Sequence, residues 1–465
     1  MKWVAILSTI VFVSVTFTAS GQSATTKPSH PFGYPLVPDL VADPSIAEFD
    51  GTFYLFSTTD GAGAGLSSAG MPVAWKSRDF VNWSFEGSIF PAGFDAKFWA
   101  PSEPVRKAGV YHLFPTLDNR ITRVVSQSPL GPYVQPDGRP VTRAAGWKPW
   151  ELPVGNPIDA QTFVDDDGSV YMVWSQRGIA KLTPDLSAIE GNAITIKTKR
   201  GGYSEGPFLF KRKGIYYYLY TLDGHENYRY AYMMSRTSPM GPWEAPEKDL
   251  IGLSDRAAGV HGPGHGCFFS PAGTDDWYFV YLEYGRGGTN RQIYADRMVF
   301  NADGTIQPVK VTMQGVGPLR GAQGGAVNLA ASAVVSASSV RPPLRIEPRA
   351  YRELDRTETF DPALAVDGSN GSRWMPADGD ATPSLTVDFG KPTRVSRTEL
   401  YFVMPTGGHA YKLECSDDGK SWRQIGGQIA PTARSPHVDM HSVLTRYLRV
   451  TITGGTAGVW EFRAY

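Results

Sequence analysis

The sequence predicts an all-β protein in which a five-bladed β-propeller is followed by a second β domain of different pattern. Three observations carry this. One strand-turn-strand motif recurs five times between residues 49 and 283. Aromatic residues make up 12% of the chain and accompany 50 Gly and 36 Pro, a turn-rich composition that favours strands over helices. After Gly315 the motif stops, a Gly-rich linker follows, and shorter strand and turn signals take over. A chain of 465 residues suits two or three domains.

At the N-terminus, Lys2 precedes an apolar run over 3–17, and Ala19-Ser20-Gly21 offers small residues for cleavage. Residues 1–21 are therefore expected to be a signal peptide, too short to span a bilayer comfortably. Export to a periplasmic or extracellular location follows, with no other long apolar stretch and no membrane span. Lys and Arg equal Asp and Glu at 45 each. That balance points away from nucleic acid and anionic membranes and suits a neutral ligand such as a sugar. Cys267 and Cys415 fall in different predicted domains. Cys415 alternates with Tyr411 and Leu413 on a predicted buried strand face, and both cysteines are read as core thiols.

After a Pro-rich linker over 27–38 come the five hairpins: FDGTFYLFST at 49–58, KAGVYHLFPT at 107–116, DDGSVYMVWS at 166–175, RKGIYYYLYT at 212–221 and GTDDWYFVYLE at 273–283. Each pairs a Gly or Asp turn with a strand of alternating aromatics. Such units spaced by several tens of residues signal a propeller with one hairpin per blade. No helical period competes over comparable lengths.

Asp43, Trp99, Asp159, Glu205 and His265 stand 11, 12, 12, 12 and 13 residues ahead of Tyr54, Tyr111, Tyr171, Tyr217 and Tyr278. In a propeller that position opens the innermost strand of each blade, at one end of the central channel. The five residues should therefore form a ring. Singly, each has a bland reading: Asp43-Pro44 as a turn, His265 as a satisfied core residue. Together, three carboxylates, an imidazole and an indole read as an active site. Three acids in one cleft cannot all keep ordinary pKa values. Like charge and burial raise one, while a better hydrogen-bonded one stays ionised. That division serves glycosidic cleavage, which needs an acid for the leaving oxygen and a base for water.

The runs ADPSIAEFDGTFYLFST, WKSRDFVNW, FWAPSEP, IDAQTFVDDDGSVYMVW, YSEGPFLFKRKGIYYYLY, SPMGPW and GHGCFFSPAGTDDWYFVY occur in that order. Together they resemble glycoside hydrolase family 43, a group of five-bladed propeller enzymes, over residues 36–318. The resemblance implies an exported, inverting hydrolase of polysaccharides or oligosaccharides that needs no cofactor for its chemistry. By position it makes Asp43 the general base, Glu205 the general acid, and Asp159 the carboxylate that keeps Glu205 protonated and aimed. It puts His265 in the channel beside a water-bound cation, often calcium. Arg291 resembles the arginine that contacts the sugar, and Phe98 and Trp99 the aromatic wall. Inversion predicts a base–acid separation of about 6.5–9.5 Å.

Two departures bear on the substrate. The fifth hairpin runs into YLEYGRG, where many members carry a histidine, and blade one is lengthened by a Gly- and Ser-rich loop over 60–70 that suits a mobile rim. Members cleave α-L-arabinofuranosides, β-xylosides, arabinan, β-1,3-galactan or galactofuranosides. A terminal α-L-arabinofuranosyl or β-xylosyl unit is the first expectation, with β-galactofuranosidase or exo-β-1,3-galactanase as alternatives.

From 326 to 465, AVDGSNGSRW, PSLTVDFGKPTRVSRTELYF, YKLECSDDGKSW and RYLRVTITG resemble a discoidin-like β-sandwich of jelly-roll type, used as a carbohydrate-binding module. In that fold Asp367, Ser372 and Glu461 correspond to a structural calcium site, and hard oxygen ligands suit Ca²⁺. Trp374, Tyr411 and Trp460 are the aromatic candidates for sugar stacking, with Trp374 expected in the core.

Two other functions remain to be weighed. A retaining fructosidase on a similar propeller needs an Asn-Asp-Pro-Asn-like opening, which Ala42-Asp43-Pro44-Ser45 does not supply. A non-catalytic glycan-binding propeller would be favoured by a missing acid, and all three acids are present.

Overall fold

The computed structural model describes residues 30–60, 71–286, 290–321, 326–347 and 354–465. The expected signal peptide and most of the loop over 60–70 lie outside the described residues. The fold is a five-bladed propeller followed by a β-sandwich. Among the described residues the only helical turns are short 3₁₀ segments, and no helix is long and apolar enough to cross a membrane.

Blade one is an antiparallel meander of Val41–Phe49, Thr52–Thr59, Val73–Ser77 and Ser84–Ser88. Blade two is built from shorter pieces. Val105–Lys107, Val110–Leu113 and Val124–Ser126 form one sheet, and Phe98–Trp99 pairs with Thr116–Leu117 in another. Blade three runs Gln161–Val164, Val170–Trp174, Gly178–Leu182 and Ile189–Thr195. Blade four runs Phe208–Arg212, Ile215–Leu222, Arg229–Ser235 and Leu250–Gly252, and blade five Gly264–Phe269, Trp277–Glu283 and Gln292–Met298.

The turns follow from their residues. Arg212 pairs with Ile215, leaving Lys213 and Gly214 as a two-residue loop with φ of 49° and 77°. Positive φ at both positions is the turn whose twist matches that of the flanking strands. Asp50-Gly51 and Ala108-Gly109 repeat it in blades one and two.

Packing between blades explains why the strand Ile215–Leu222 is buried along its whole length. Side chains alternate across a strand. Tyr217 and Leu219 face a cluster with Phe268 and Phe279 of blade five, while Tyr218 and Tyr220 join Val173 and Ile179 of blade three. Blade five closes on blade one through Phe269, whose ring lies 5.0 Å from Phe80 and 6.1 Å from Phe53. Upstream of blade one, the Leu36 amide donates to the Ile293 carbonyl at 2.8 Å, tying the chain's start to blade five.

In the sandwich, the strand order is Val334–Ala337, Ser384–Phe402, His437–Gly454, His409–Ser416 and Arg423–Thr432, with Val459–Ala464 against Ser384–Phe402. Breaks in register at Asp388/Thr393 and Val395/Arg397 let the long strands serve both layers. The enclosed core holds Trp374, Leu400, Phe402, Tyr411, Leu413 and Cys415. Both cysteines are free and buried, as read from the sequence. Trp374, Tyr411 and Trp460 are all buried, so none offers a stacking face. The Tyr411 hydroxyl is spent on Asp439 at 2.6 Å, and Trp460 lies beneath Arg373 at 4.6 Å.

Candidate active site

Asp43, Asp159, Glu205 and His265 meet at one end of the propeller channel. Asp43 and Asp159 carry left-handed backbones, φ 52° and 57°. Such conformations are costly outside glycine and persist where surrounding bonds over-determine them. Here the bonds come from hydroxyls that end the second strand of each blade. Thr58 Oγ1 donates to Asp43 Oδ2 at 2.7 Å, and Ser175 Oγ to Asp159 Oδ2 at 2.6 Å. Thr221 Oγ1 donates to the Glu205 carbonyl at 2.5 Å and accepts from its amide at 2.9 Å. Two of these hydroxyl positions also reach the next blade: Thr58 accepts from the Ala100 amide at 2.8 Å, and Thr116 from the Asp159 amide at 3.0 Å. In blade five Glu283 takes the equivalent place. Its carboxylate accepts from the His261 and Gly285 amides at 2.7 and 2.6 Å. The hairpin motifs all end in Ser, Thr or, in blade five, Glu, so this signal was present in the sequence.

His265 is the hub. Its Nδ1 lies 3.4 Å from Asp43 Oδ1 and 3.7 Å from Glu205 Oε1. Gly206 makes the approach possible, since a Cβ there would come within 2.9 Å of the His265 ring. Burial alone would lower the imidazole pKa, but the charge of Asp43, the bond to Glu205 and the charge of Asp159 raise it to about 9. The Tyr228 hydroxyl also donates to Glu205 Oε1. Burial would raise Glu205, yet the bond and charge of His265, the Tyr228 bond and the charge of Arg291 bring it below the usual carboxylate range. Asp159 moves the other way. Burial dominates and pushes it up to about 7, with His265 opposing and Glu205 adding to the rise. Within this cluster His265 and Asp159 are shifted toward their protonated forms and Glu205 toward its ionised form.

One carboxylate oxygen each of Asp43 and Glu205 lie within 4.8 Å of each other and of a His265 ring nitrogen. The same three side chains, Asp43, Glu205 and His265, bring donor atoms close enough to hold a metal ion. Nδ1 of His265, however, is turned to two carboxylates.

Arg291 is brought to the site as expected. Its Nη1 lies 3.3 Å from Asp43 Oδ1, and its amide, Nε and Nη2 all bond Asp60, at 2.9, 3.1 and 2.8 Å. Asp60, Tyr228 and the hydroxyl residues were not singled out from the sequence. Trp99 lies half-buried, and its buried Nε1 has no hydrogen-bond partner among the described residues. Phe98 is a correction. It is fully buried against Phe90 in the core of blades one and two, because neighbours on a strand point to opposite faces.

In the sandwich, Asp367, Ser372 and Glu461 do converge. Ser372 Oγ donates to Asp367 Oδ2 at 2.6 Å, and the Gly368 amide to Glu461 Oε2 at 3.3 Å. Glu461 is fully buried, its Oε1 has no hydrogen-bond partner, and burial drives its pKa well up. Arg463 Nε lies 3.8 Å from that oxygen and His30 Nε2 3.2 Å from Asp367 Oδ2, and the cluster of oxygen donors is of the hard type that suits Ca²⁺.

Comparison with known proteins matches residues 32–306 to glycosyl hydrolases family 43 and residues 336–464 to the F5/8 type C domain. A β-D-galactofuranosidase of Aspergillus niger is 29% identical over 318 residues, 63% of this chain and 89% of its own. An arabinoxylan arabinofuranohydrolase of Bacillus subtilis is 28% identical over 340 residues, 60% of this chain and 64% of its own length. A solved structure described as a glycoside hydrolase superposes with a TM-score of 0.88 at 47% identity, over 94% of this chain and 100% of that one. The structure of a Bacillus subtilis arabinoxylan arabinofuranohydrolase with cellotetraose, at TM-score 0.51 and 21% identity over 93% of this chain and 98% of its own, shares the two-part fold.

Proposed function

Because the chain belongs to glycosyl hydrolase family 43 and is a glycoside hydrolase, we propose that it is an exported inverting enzyme that removes terminal α-L-arabinofuranosyl or β-xylosyl units from polysaccharides or oligosaccharides. The observation that carries the reading is the meeting of Asp43, Asp159 and Glu205 around His265. Asp43, held by Thr58 and Arg291, takes a proton from water as the water attacks the anomeric carbon. Glu205 gives a proton to the departing glycosidic oxygen, and the bond from that oxygen to the anomeric carbon breaks. His265 and Asp159, both shifted toward their protonated forms, flank Glu205 as the groups that keep it supplied with that proton. Trp99, half-buried, is the aromatic residue read as part of the sugar-binding wall. The sandwich is read as a carbohydrate-binding module holding the polymer near the site.

One observation favours a further reading. The Aspergillus niger relative is matched over 89% of its length, which makes a β-galactofuranoside the second substrate to test. Turnover of nitrophenyl α-L-arabinofuranoside, β-xyloside and β-galactofuranoside identifies the sugar, and Glu205→Ala should abolish it. Undiminished turnover in that variant would sink the reading. Proton NMR of the first-formed anomer separates inversion from retention.

A further inference from the structure

The loops that hold the two catalytic carboxylates rest on the C-terminal domain. On the base side, Gln292 follows Arg291. Its side chain accepts from Arg286 Nε at 2.9 Å and donates to the Asn370 carbonyl at 3.0 Å. Arg286 in turn donates to Glu358, which also pairs with Arg373 at 2.9 Å. Arg286 and Glu358 are 3% and 4% exposed. Arg356 Nη1 reaches the Gly285 carbonyl at 2.9 Å. On the acid side, the Leu354 amide donates to Glu226 Oε2 at 3.2 Å. Glu226 lies two residues before Tyr228, whose hydroxyl bonds Glu205. One short stretch, 354–358, thus touches the supports of both acids.

We infer that this stretch is a working part of the catalytic site, with Glu358 a positioning residue that sets Arg291 against Asp43 through Arg286 and Gln292. The inference rests on the reading of Asp43 and Glu205 as the reacting pair and deepens it. Joining two domains does not require a buried charge cluster. Burying ions costs desolvation that apolar packing avoids, and what charges add is a defined geometry. One other join between the domains uses no charge at all. Phe85 of blade one and Ser435 of the sandwich exchange backbone hydrogen bonds at 2.6 and 2.9 Å. The buried ions sit instead on the segment that leads into Arg291.

The experiment measures kcat and KM for the best aryl glycoside, per folded molecule, in the full chain. Gln292→Leu and Glu358→Gln should each lower kcat about 10- to 100-fold, the size expected from a displacement on the order of 1 Å. KM should stay within about threefold, as for a group acting on the transition state. Glu358→Asp should recover part of the loss. Asn82→Ala, which removes a contact to Arg463 at 3.4 Å on another part of the interface, should leave kcat unchanged. Unchanged kcat in Gln292→Leu and Glu358→Gln, with only a lower melting temperature, overturns the inference. Should Glu358→Gln fail to fold, Gln292→Leu decides, because it leaves the Glu358 pairs intact. A parent enzyme inactive on all three glycosides would defeat the functional reading instead. The inference is then read from the His265 ring resonance, which should move in Gln292→Leu, and an unmoved resonance overturns it.

Discussion

The Arg291 guanidinium spans two carboxylates, reaching Asp43 at 3.3 Å while closing on Asp60 at 2.8 and 3.1 Å. Asp60 is fully buried, so its charge is compensated almost wholly by Arg291. Asp60→Ala should therefore leave a buried cation without its main partner, costing about 3–5 kcal/mol. The freed guanidinium should also let Asp43 move, lowering kcat about 100-fold. Asp60→Asn, which keeps the shape and loses the charge, should fall between. Thermal melts beside steady-state kinetics check both. A parent-like kcat in Asp60→Ala would mean that Arg291 does not set the base.

Tyr228 acts on the other carboxylate. Its hydroxyl donates to Glu205 Oε1 and, with His265 and Arg291, keeps that acid below its usual range against the pull of burial. A proton donor must be protonated, so this bond works against the acid in the resting enzyme. Tyr228→Phe removes it. The Glu205 pKa should rise by about one unit, the worth of one hydrogen bond to a charged group. The basic limb of the kcat/KM profile should shift upward by a similar amount. A limb that stays put would show that Glu205 does not govern it.

Ser175 donates to Asp159 at 2.6 Å from the end of its own hairpin. Ser175→Ala should remove one of the few interactions that favour the ionised form of a buried carboxylate. Asp159, already pushed up by burial, should rise further. Lost stability of about 1–3 kcal/mol should accompany the change. A melt in Ser175→Ala indistinguishable from the parent would contradict this.

The fold and the ring were legible because both are local and repeated. Turn pairs such as Lys213-Gly214 and aromatic alternation mark each hairpin, and equal spacing from them marks Asp43, Trp99, Asp159, Glu205 and His265. The terminal hydroxyls Thr58, Thr116, Ser175 and Thr221 were equally local, and their role appears once each blade's second strand is seen to end beside the ring. Asp60 could not be found this way, since it meets Arg291 across 231 residues of sequence. Phe98 and Trp99 were read as one wall, although adjacent strand residues face opposite ways. Tyr228 reaches Glu205 from just ahead of the third strand of the same blade, 23 residues on, a contact that hairpin spacing does not reveal.

The sandwich makes its own prediction. Glu461 is buried beside Asp367 and Ser372, with one oxygen that makes no hydrogen bond and lies 3.8 Å from Arg463 Nε. A calcium ion there would stabilise the folded chain by binding it and not the unfolded one. Added Ca²⁺ should raise the melting temperature and a chelator should lower it. Glu461→Gln should abolish that response while leaving glycoside turnover intact. A chelator response that persists in Glu461→Gln would put the cation elsewhere.

His265 couples the site to stability through pH. Its folded pKa of about 9 exceeds the 6.5 of a free imidazole, despite the opposing effect of burial, because Asp43, Glu205 and Asp159 surround it. A raised folded value means that stabilisation is complete below pH 6.5 and is lost as pH rises through 9. The shift is worth on the order of 3 kcal/mol. Asp159 adds to the trend from lower pH. Burial raises it to about 7 from 3.8, so its ionisation across that range costs the folded state stability. Melting temperature should therefore fall between about pH 6 and pH 9, most steeply near the lower end, where the two contributions overlap. His265→Gln, neutral at every pH, should start lower and run flatter there. Parallel melting curves in parent and variant would show that the histidine carries no charge in the fold. They would also remove the proton that Glu205 needs.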